Sequence, residues 1–159
     1  MNETTITAQP GTPFVDVVRE FDAPRERVFR AWTDPDLVPQ WLGPRGLTMK
    51  LFAYDARPGG SYRYTHADER GEYGFRGVFH NVIPNELVIQ TFEYDGAPNQ
   101  VSLDTTRFED LGDGRTRVHG RTVFSTIENR DAMLAGGMEH GLRDSMERLD
   151  EVLAREPQK

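Results

Sequence analysis

Between residues 47 and 125 the chain passes six times through short stretches in which apolar and polar residues alternate. The stretches are "LTMKLFAY" (47–54), "SYRYTHA" (61–67), "EYGFRGVFHNVI" (72–83), "LVIQTFEY" (87–94), "QVSLDTTRFED" (100–110) and "RTRVHGRTVFS" (115–125). A period of two is the signature of a strand with one buried face. The links between them, such as "RPGG", "ADERG", "PNE" and "LGDG", are of hairpin length, and parallel pairing needs a dozen residues or more to cross over. Only an antiparallel sheet fits. Asp113-Gly114 is the strongest of the turn signals, because a tight hairpin needs positive φ at its centre. "FVDVVREF" (14–21) adds an earlier strand, so about seven are expected. Gly74 and Gly77 fall inside the 72–83 strand, where glycine marks a bulge or bend.

Two short helices follow the first strand. In "DAPRERVFRAW", Asp22 is the candidate cap, Pro24 suits the first helical position, and Val28, Phe29 and Trp32 share a face. "TDPDLVPQW" repeats the pattern, with Asp34 as cap, Pro35 at the start and Pro39 near the end. After the strands comes one long helix. It starts at Ser125, where Glu128 completes a capping box, or near Asn129. Met138, Leu142, Ser145 or Met146, Leu149, Val152 and Leu153 form its apolar stripe. Gly136, Gly137 and Gly141 interrupt it, either as a kink or close approach to the sheet, or as room for a ligand. Residues 1–13 and 156–159 read as mobile tails around one domain spanning 14–155.

One long helix covers one face of such a sheet. If the sheet curls around it, a gap is left between them and the short helices plug one end. Composition narrows what the gap serves. The net charge of −7 disfavours nucleic acid and anionic membrane, which need clustered cations. The absence of cysteine removes disulfides and thiolate chemistry. No apolar run approaches a membrane span and no leader pattern opens the chain, so the expectation is a cytoplasmic protein. The four histidines are scattered without metal-ligand spacing, and no phosphate loop or nucleophile elbow is present, so no cofactor or metal is expected.

"VREFDAPRERVFRAWTDPDLVPQWLGP" resembles the opening of the activator-of-heat-shock-protein-90-ATPase-like family, within the SRPBCC superfamily of START-like and birch-pollen-allergen-like domains. "ARPGGSYRY", "GVFHNVIPNELVIQTFEY" and "GMEHGLRDSMERLDEVLA" extend the resemblance over residues 14 to 155. It implies an α+β helix-grip fold, with a curved antiparallel sheet wrapped around a long C-terminal helix and a hydrophobic cavity between them. It also implies that a tryptophan often stands where this chain has Met138, a smaller and more adaptable side chain. The co-chaperone role in the family name is not carried over.

The candidate ligand-binding residues are Trp41, Tyr62, Tyr64, His66, Phe75, Phe79, Phe92, Met138 and Leu142. Tyr62, Tyr64 and His66 share one strand face and offer an aromatic wall with one imidazole. For catalysis the plainer expectation is that the tyrosines pack in the core and His66 sits in water. Trp32 reads as core, and Trp41 precedes a Gly43-Pro44 loop that can gate the cavity. Thr91, Glu93, Thr105, Arg107 and Arg76 are either ligand-orienting groups or the outer face of the sheet. His119 reads as solvent-facing, and His140 pairs with Asp144 one turn on. The favoured function is binding of a small hydrophobic or aromatic ligand, with no catalytic residue assigned. The alternatives are a cyclase- or dehydratase-like enzyme using His66 or Glu93 as acid/base, and a chaperone-associated or stress-response interaction protein. The expected partners are the small ligand and, in a homodimer, a second copy.

Overall fold

The structure is a computed structural model and describes residues 2–155; the expected tail at 156–159 lies outside them. Eight antiparallel strands form one open sheet: β1 (Thr5–Thr7), β2 (Phe14–Phe21), β3 (Thr48–Tyr54), β4 (Ser61–Asp68), β5 (Gly71–Ile83), β6 (Leu87–Tyr94), β7 (Ser102–Gly112) and β8 (Arg115–Val123). Their order across the sheet is β1-β2-β8-β7-β6-β5-β4-β3. The strands expected from alternation are all present, with ends within about two residues. The eighth, β1, lies in the segment with no periodicity, and pairs Thr5–Thr7 with Asp16–Val18. Three residues at an edge need no buried face of their own, so they leave no pattern to read.

α1 (Arg25–Thr33) and α2 (Val38–Trp41) follow β2. Their caps differ from expectation. Pro24 occupies the N-cap of α1 with no side-chain bond, while Asp22 pairs with Arg115 at 3.0 Å instead. Pro39 lies in the first turn of α2 rather than at its end, where its missing N–H costs nothing. Asp34 serves the connection, its carboxylate accepting from the Asp36 amide at 2.8 Å.

The expected long C-terminal helix is two helices, α3 (Ile127–Ala135) and α4 (Met138–Arg155). Thr126, not Ser125, is the cap of α3, its hydroxyl accepting from the Asn129 amide at 2.9 Å. Gly137 takes φ +94, a conformation that ends a helix and that only glycine adopts without strain. The kink reading of the helix glycines therefore holds at Gly136-Gly137. Gly141 lies within α4, where an added Cβ would stand 3.9 Å from Pro44, ordinary contact.

Bulges between Leu51 and Ala53, between Phe79 and Asn81 and between Asp110 and Gly112 shift the register of the sheet. The first turns Phe52 out to solvent, 55% exposed, and brings Leu51 and Tyr54 to the same inner face. Gly74 and Gly77 are not the bulges. A Cβ at Gly77 would meet the Thr91 carbonyl and the ring of Tyr62, so this glycine makes room for the tyrosine crossing over it. The core gathers under α1, α2 and α4 around Phe21, Val28, Trp41, Phe79, Met146 and Leu149. Each such side chain contributes ~1.5–3 kcal/mol through burial.

Candidate functional site

The pairing registers sort every strand residue to one face. On β3 to β5, Tyr54 lies opposite Tyr62, Leu51 and Phe75 lie opposite Tyr64, and Met49 opposite His66, all inward. Aromatic rings make up most of this side, Tyr94 among them at 5.3 Å from Phe75. Tyr54, Tyr62, Tyr64 and Phe79 have neighbouring centroids 5.4–6.0 Å apart, and Phe75 stacks on Tyr64 at 5.2 Å and on Phe92 at 5.4 Å. The structure thus brings together Tyr62, Tyr64, His66, Phe75, Phe79 and Phe92 of the candidate set.

His66 is not in water. It is 5% exposed, its Nε2 lies 3.2 Å from the Leu42 carbonyl, and its ring packs 5.1 Å from Tyr64 and 5.6 Å from Phe75. Burial, the largest effect, pushes its pKa down; the Leu42 carbonyl opposes that, and the charge of Arg148 adds to it. Gly43 permits this packing. A Cβ there would stand 2.5 Å from the imidazole, and its φ is +103.

The loop carrying Gly43 is fastened to α4. The Ser145 hydroxyl accepts from the Gly43 amide at 2.8 Å and donates to the Gly141 carbonyl at 2.9 Å. Arg148 donates to the Gly43 and Gln40 carbonyls, and the Arg45 amide donates to Asp144. Trp41 sits behind this strap, 2% exposed, with its indole N–H donating to the Ala31 carbonyl at 2.9 Å and its ring 4.6 Å from Trp32. It therefore presents no free donor. Met138 and Leu142 are partly exposed at the start of α4 and stand apart from the central cluster.

The other half of the inner face is different. Gln90 on β6 lies opposite Asp104 on β7, which lies opposite Thr122 on β8, and Thr106 is next along β7. None of these four was a candidate from the sequence. Burial pushes the Asp104 pKa up to about 6, and the neighbouring Thr122 hydroxyl opposes that only in part. Asp104 forms no ion pair among the described residues. Yet Asp104, Gln90 and Thr122 are only partly buried, as are Tyr54, Phe75 and Phe92. For Asp104 and Tyr54, depth among protein atoms and residual accessible surface occur together.

The tyrosines differ in what their hydroxyls meet. That of Tyr54 donates to the Trp32 carbonyl at 2.7 Å, and that of Tyr62 donates to the Thr91 carbonyl. That of Tyr64 has no partner among the described residues, although Tyr64 is only 5% exposed. Burial pushes all three phenol pKa values up, and Asp104 adds to the effect at Tyr62 and Tyr64.

The remaining polar candidates face outward. Glu93 pairs with Arg76 at 3.2 Å and accepts from the Asn99 amide at 2.7 Å. Those partners cover its surface, but few protein atoms surround it. Its pKa falls because of the Asn99 amide first and Arg76 second, and it is no buried acid. Arg107 is exposed, and so is His119, which lies 3.4 Å from Asp16. His140 pairs with Asp144 at 3.3 Å. Among the described residues no group of three or more His, Cys, Asp or Glu side chains could hold a metal ion, and no helix is long and apolar enough to cross a membrane.

A curved antiparallel sheet closed by C-terminal helices, with short helices after β2, is the helix-grip arrangement that the sequence resemblance implies. The family model described as activator of Hsp90 ATPase homolog 1-like protein matches residues 22–154. The chain belongs to that family. Members of this fold class typically hold small ligands without acting on them. The chain is similar to a crystal structure from Rhodobacter sphaeroides, with 27% identity over 97% of this chain and 100% of that one and a TM-score of 0.86. A protein from Chromobacterium violaceum is 26% identical over 90% of this chain and 99% of that one, with a TM-score of 0.78. A solution structure from Arthrobacter aurescens superposes with a TM-score of 0.87 at 23% identity, over 97% and 93% of the two chains, and shows the shared fold. No functionally curated protein matches.

Proposed function

We propose that the chain binds a small ligand with an aromatic or hydrophobic body in the space between the concave face of the sheet and the C-terminal helices, and that it acts as a binder rather than a catalyst. The observation that carries this reading is the partial accessibility of inward-facing Tyr54, Phe75, Phe92, Gln90 and Asp104. Asp104 and Tyr54 lie deep among protein atoms and yet keep some accessible surface, as an internal gap beside them would require. The aromatic side supplies apolar contact, and Tyr64 supplies a hydroxyl that the protein leaves unpartnered. The acid/base alternative loses Glu93, which faces outward.

The test is native mass spectrometry of the purified protein, with a denaturing run to identify whatever leaves. A retained small molecule that Tyr64→Ala releases supports the reading. A clean mass, together with no uptake of naphthalene-sized aromatics by the intact protein, would count against it.

A further inference from the structure

We propose that the ligand is an organic cation: a basic amine on an apolar or aromatic body, with its ammonium group held between the Asp104 carboxylate and the tyrosine wall. This rests on the interior binding site proposed above and names the chemistry that site selects. The register places Asp104 in the middle of the inner face, with Gln90 and Thr122 as its cross-strand neighbours. No arginine, lysine or histidine of the described residues pairs with it. Arg19, also inward on β2, is occupied elsewhere: it donates to the Glu20 carbonyl at 2.8 Å and lies 3.5 Å from Asp150. Inward-facing His66 is engaged with the Leu42 carbonyl. The other ionisable groups on the inner face near Asp104 are Tyr54, Tyr62 and Tyr64, which are neutral at physiological pH. The buried residues of α4 packed over the sheet, Ser145, Met146, Leu149, Val152 and Leu153, carry no charge.

A carboxylate without a cation in such a place is costly to keep. Three features then select the same kind of guest. The carboxylate supplies a counter-charge. The faces of the stacked rings attract a cation through their quadrupoles. The Tyr64 hydroxyl accepts a hydrogen bond from an N–H that approaches Asp104. The net charge of −7 favours cation entry over anion entry. A neutral ligand of the same shape would leave the carboxylate unpaired and forgo its attraction.

The experiment compares 1-naphthylmethylamine with 1-naphthylmethanol, matched in shape and differing in charge, by fluorescence titration at pH 7.5. Tenfold or tighter binding of the amine than of the alcohol, with that ratio reduced to less than threefold in Asp104→Asn, supports the proposal. So does loss of the amine preference in the unaltered protein as pH falls from 7.5 to 5. Equal binding of both probes, or a preference that survives Asp104→Asn, overturns the ammonium assignment and leaves the interior site standing. Binding of neither probe, with the fold intact by circular dichroism, overturns both.

Discussion

The two halves of the concave face are built on opposite plans. From β3 to β5 the inward side chains are rings that pack on one another, and the hydroxyls of Tyr54 and Tyr62 are tied to backbone carbonyls. From β6 to β8 the inward Val88, Phe108 and Val118 are joined by a polar group, Gln90, Asp104, Thr106 and Thr122, and the carboxylate has no ion-pair partner among the described residues. The first half is organised for stability. The second carries a desolvated charge that folding alone would avoid. Residues retained against stability are where function is to be sought.

Five substitutions test that contrast. The largest is on the aromatic side: Phe79→Ala removes a ring that is 1% exposed, and is expected to cost ~3–5 kcal/mol in chemical denaturation. The polar side should respond with the opposite sign. Folded Asp104 releases its proton near pH 6, against an ordinary value of 3.8, so the folded state holds the proton longer than the unfolded one. Its penalty is absent below about pH 4, grows as pH rises to about 6, and is constant above that. Asp104→Asn should therefore stabilise the protein by up to ~3 kcal/mol at pH 7 and by almost nothing at pH 4, measured by urea unfolding at both.

His66 gives a smaller effect running the other way. Its folded pKa lies below the ordinary histidine value of 6.5, so the unfolded state takes up a proton first as pH falls through that value. Stability contributed by neutral His66 is full above pH 6.5 and declines below it. His66→Gln should flatten that part of the stability profile in thermal melts between pH 7.5 and 5.5. The smallest contrast is within β4. Tyr62→Phe should lose ~1 kcal/mol with its bond to the Thr91 carbonyl, whereas Tyr64→Phe should be neutral or slightly stabilising in urea unfolding, because its hydroxyl has no partner to lose.

These contrasts were unequally visible in the sequence. Alternation placed Tyr62, Tyr64 and His66 on one face, and the structure keeps them there. Phe75 with Phe79, and Phe92 with Tyr94, also share faces as their spacing requires, and the register joins both pairs on the concave side. Alternation says which residues go together but not which way they point. On β7 the apolar residue of the pattern, Leu103, points outward at 41% exposure, and Asp104 points in. Parity with buried Phe108 is the signal that would have turned the strand over. The Asp113-Gly114 turn would not have completed the assignment. It pairs Gly112 with Arg115, and carried along the strand that register sets Asp104 against Val123. The bulge between Asp110 and Gly112 moves the partner to Thr122. Bulges at Phe52, after Phe79 and near Leu111 have no residue signature in a single sequence, because each depends on how neighbouring strands fit. The three edge residues of β1 leave no alternation to read, and Gly136-Gly137 is visible as an interruption but not as the division between two helices.

The concave face holds an Asp104 carboxylate deep among protein atoms with no ion-pair partner among the described residues. A pH titration of the Asp104 side-chain carboxyl by carbon-detected NMR tests this. The expected midpoint is about 6, well above the ordinary aspartate value of 3.8. A midpoint near 3.8 would mean that Asp104 is solvated or paired, and would contradict it.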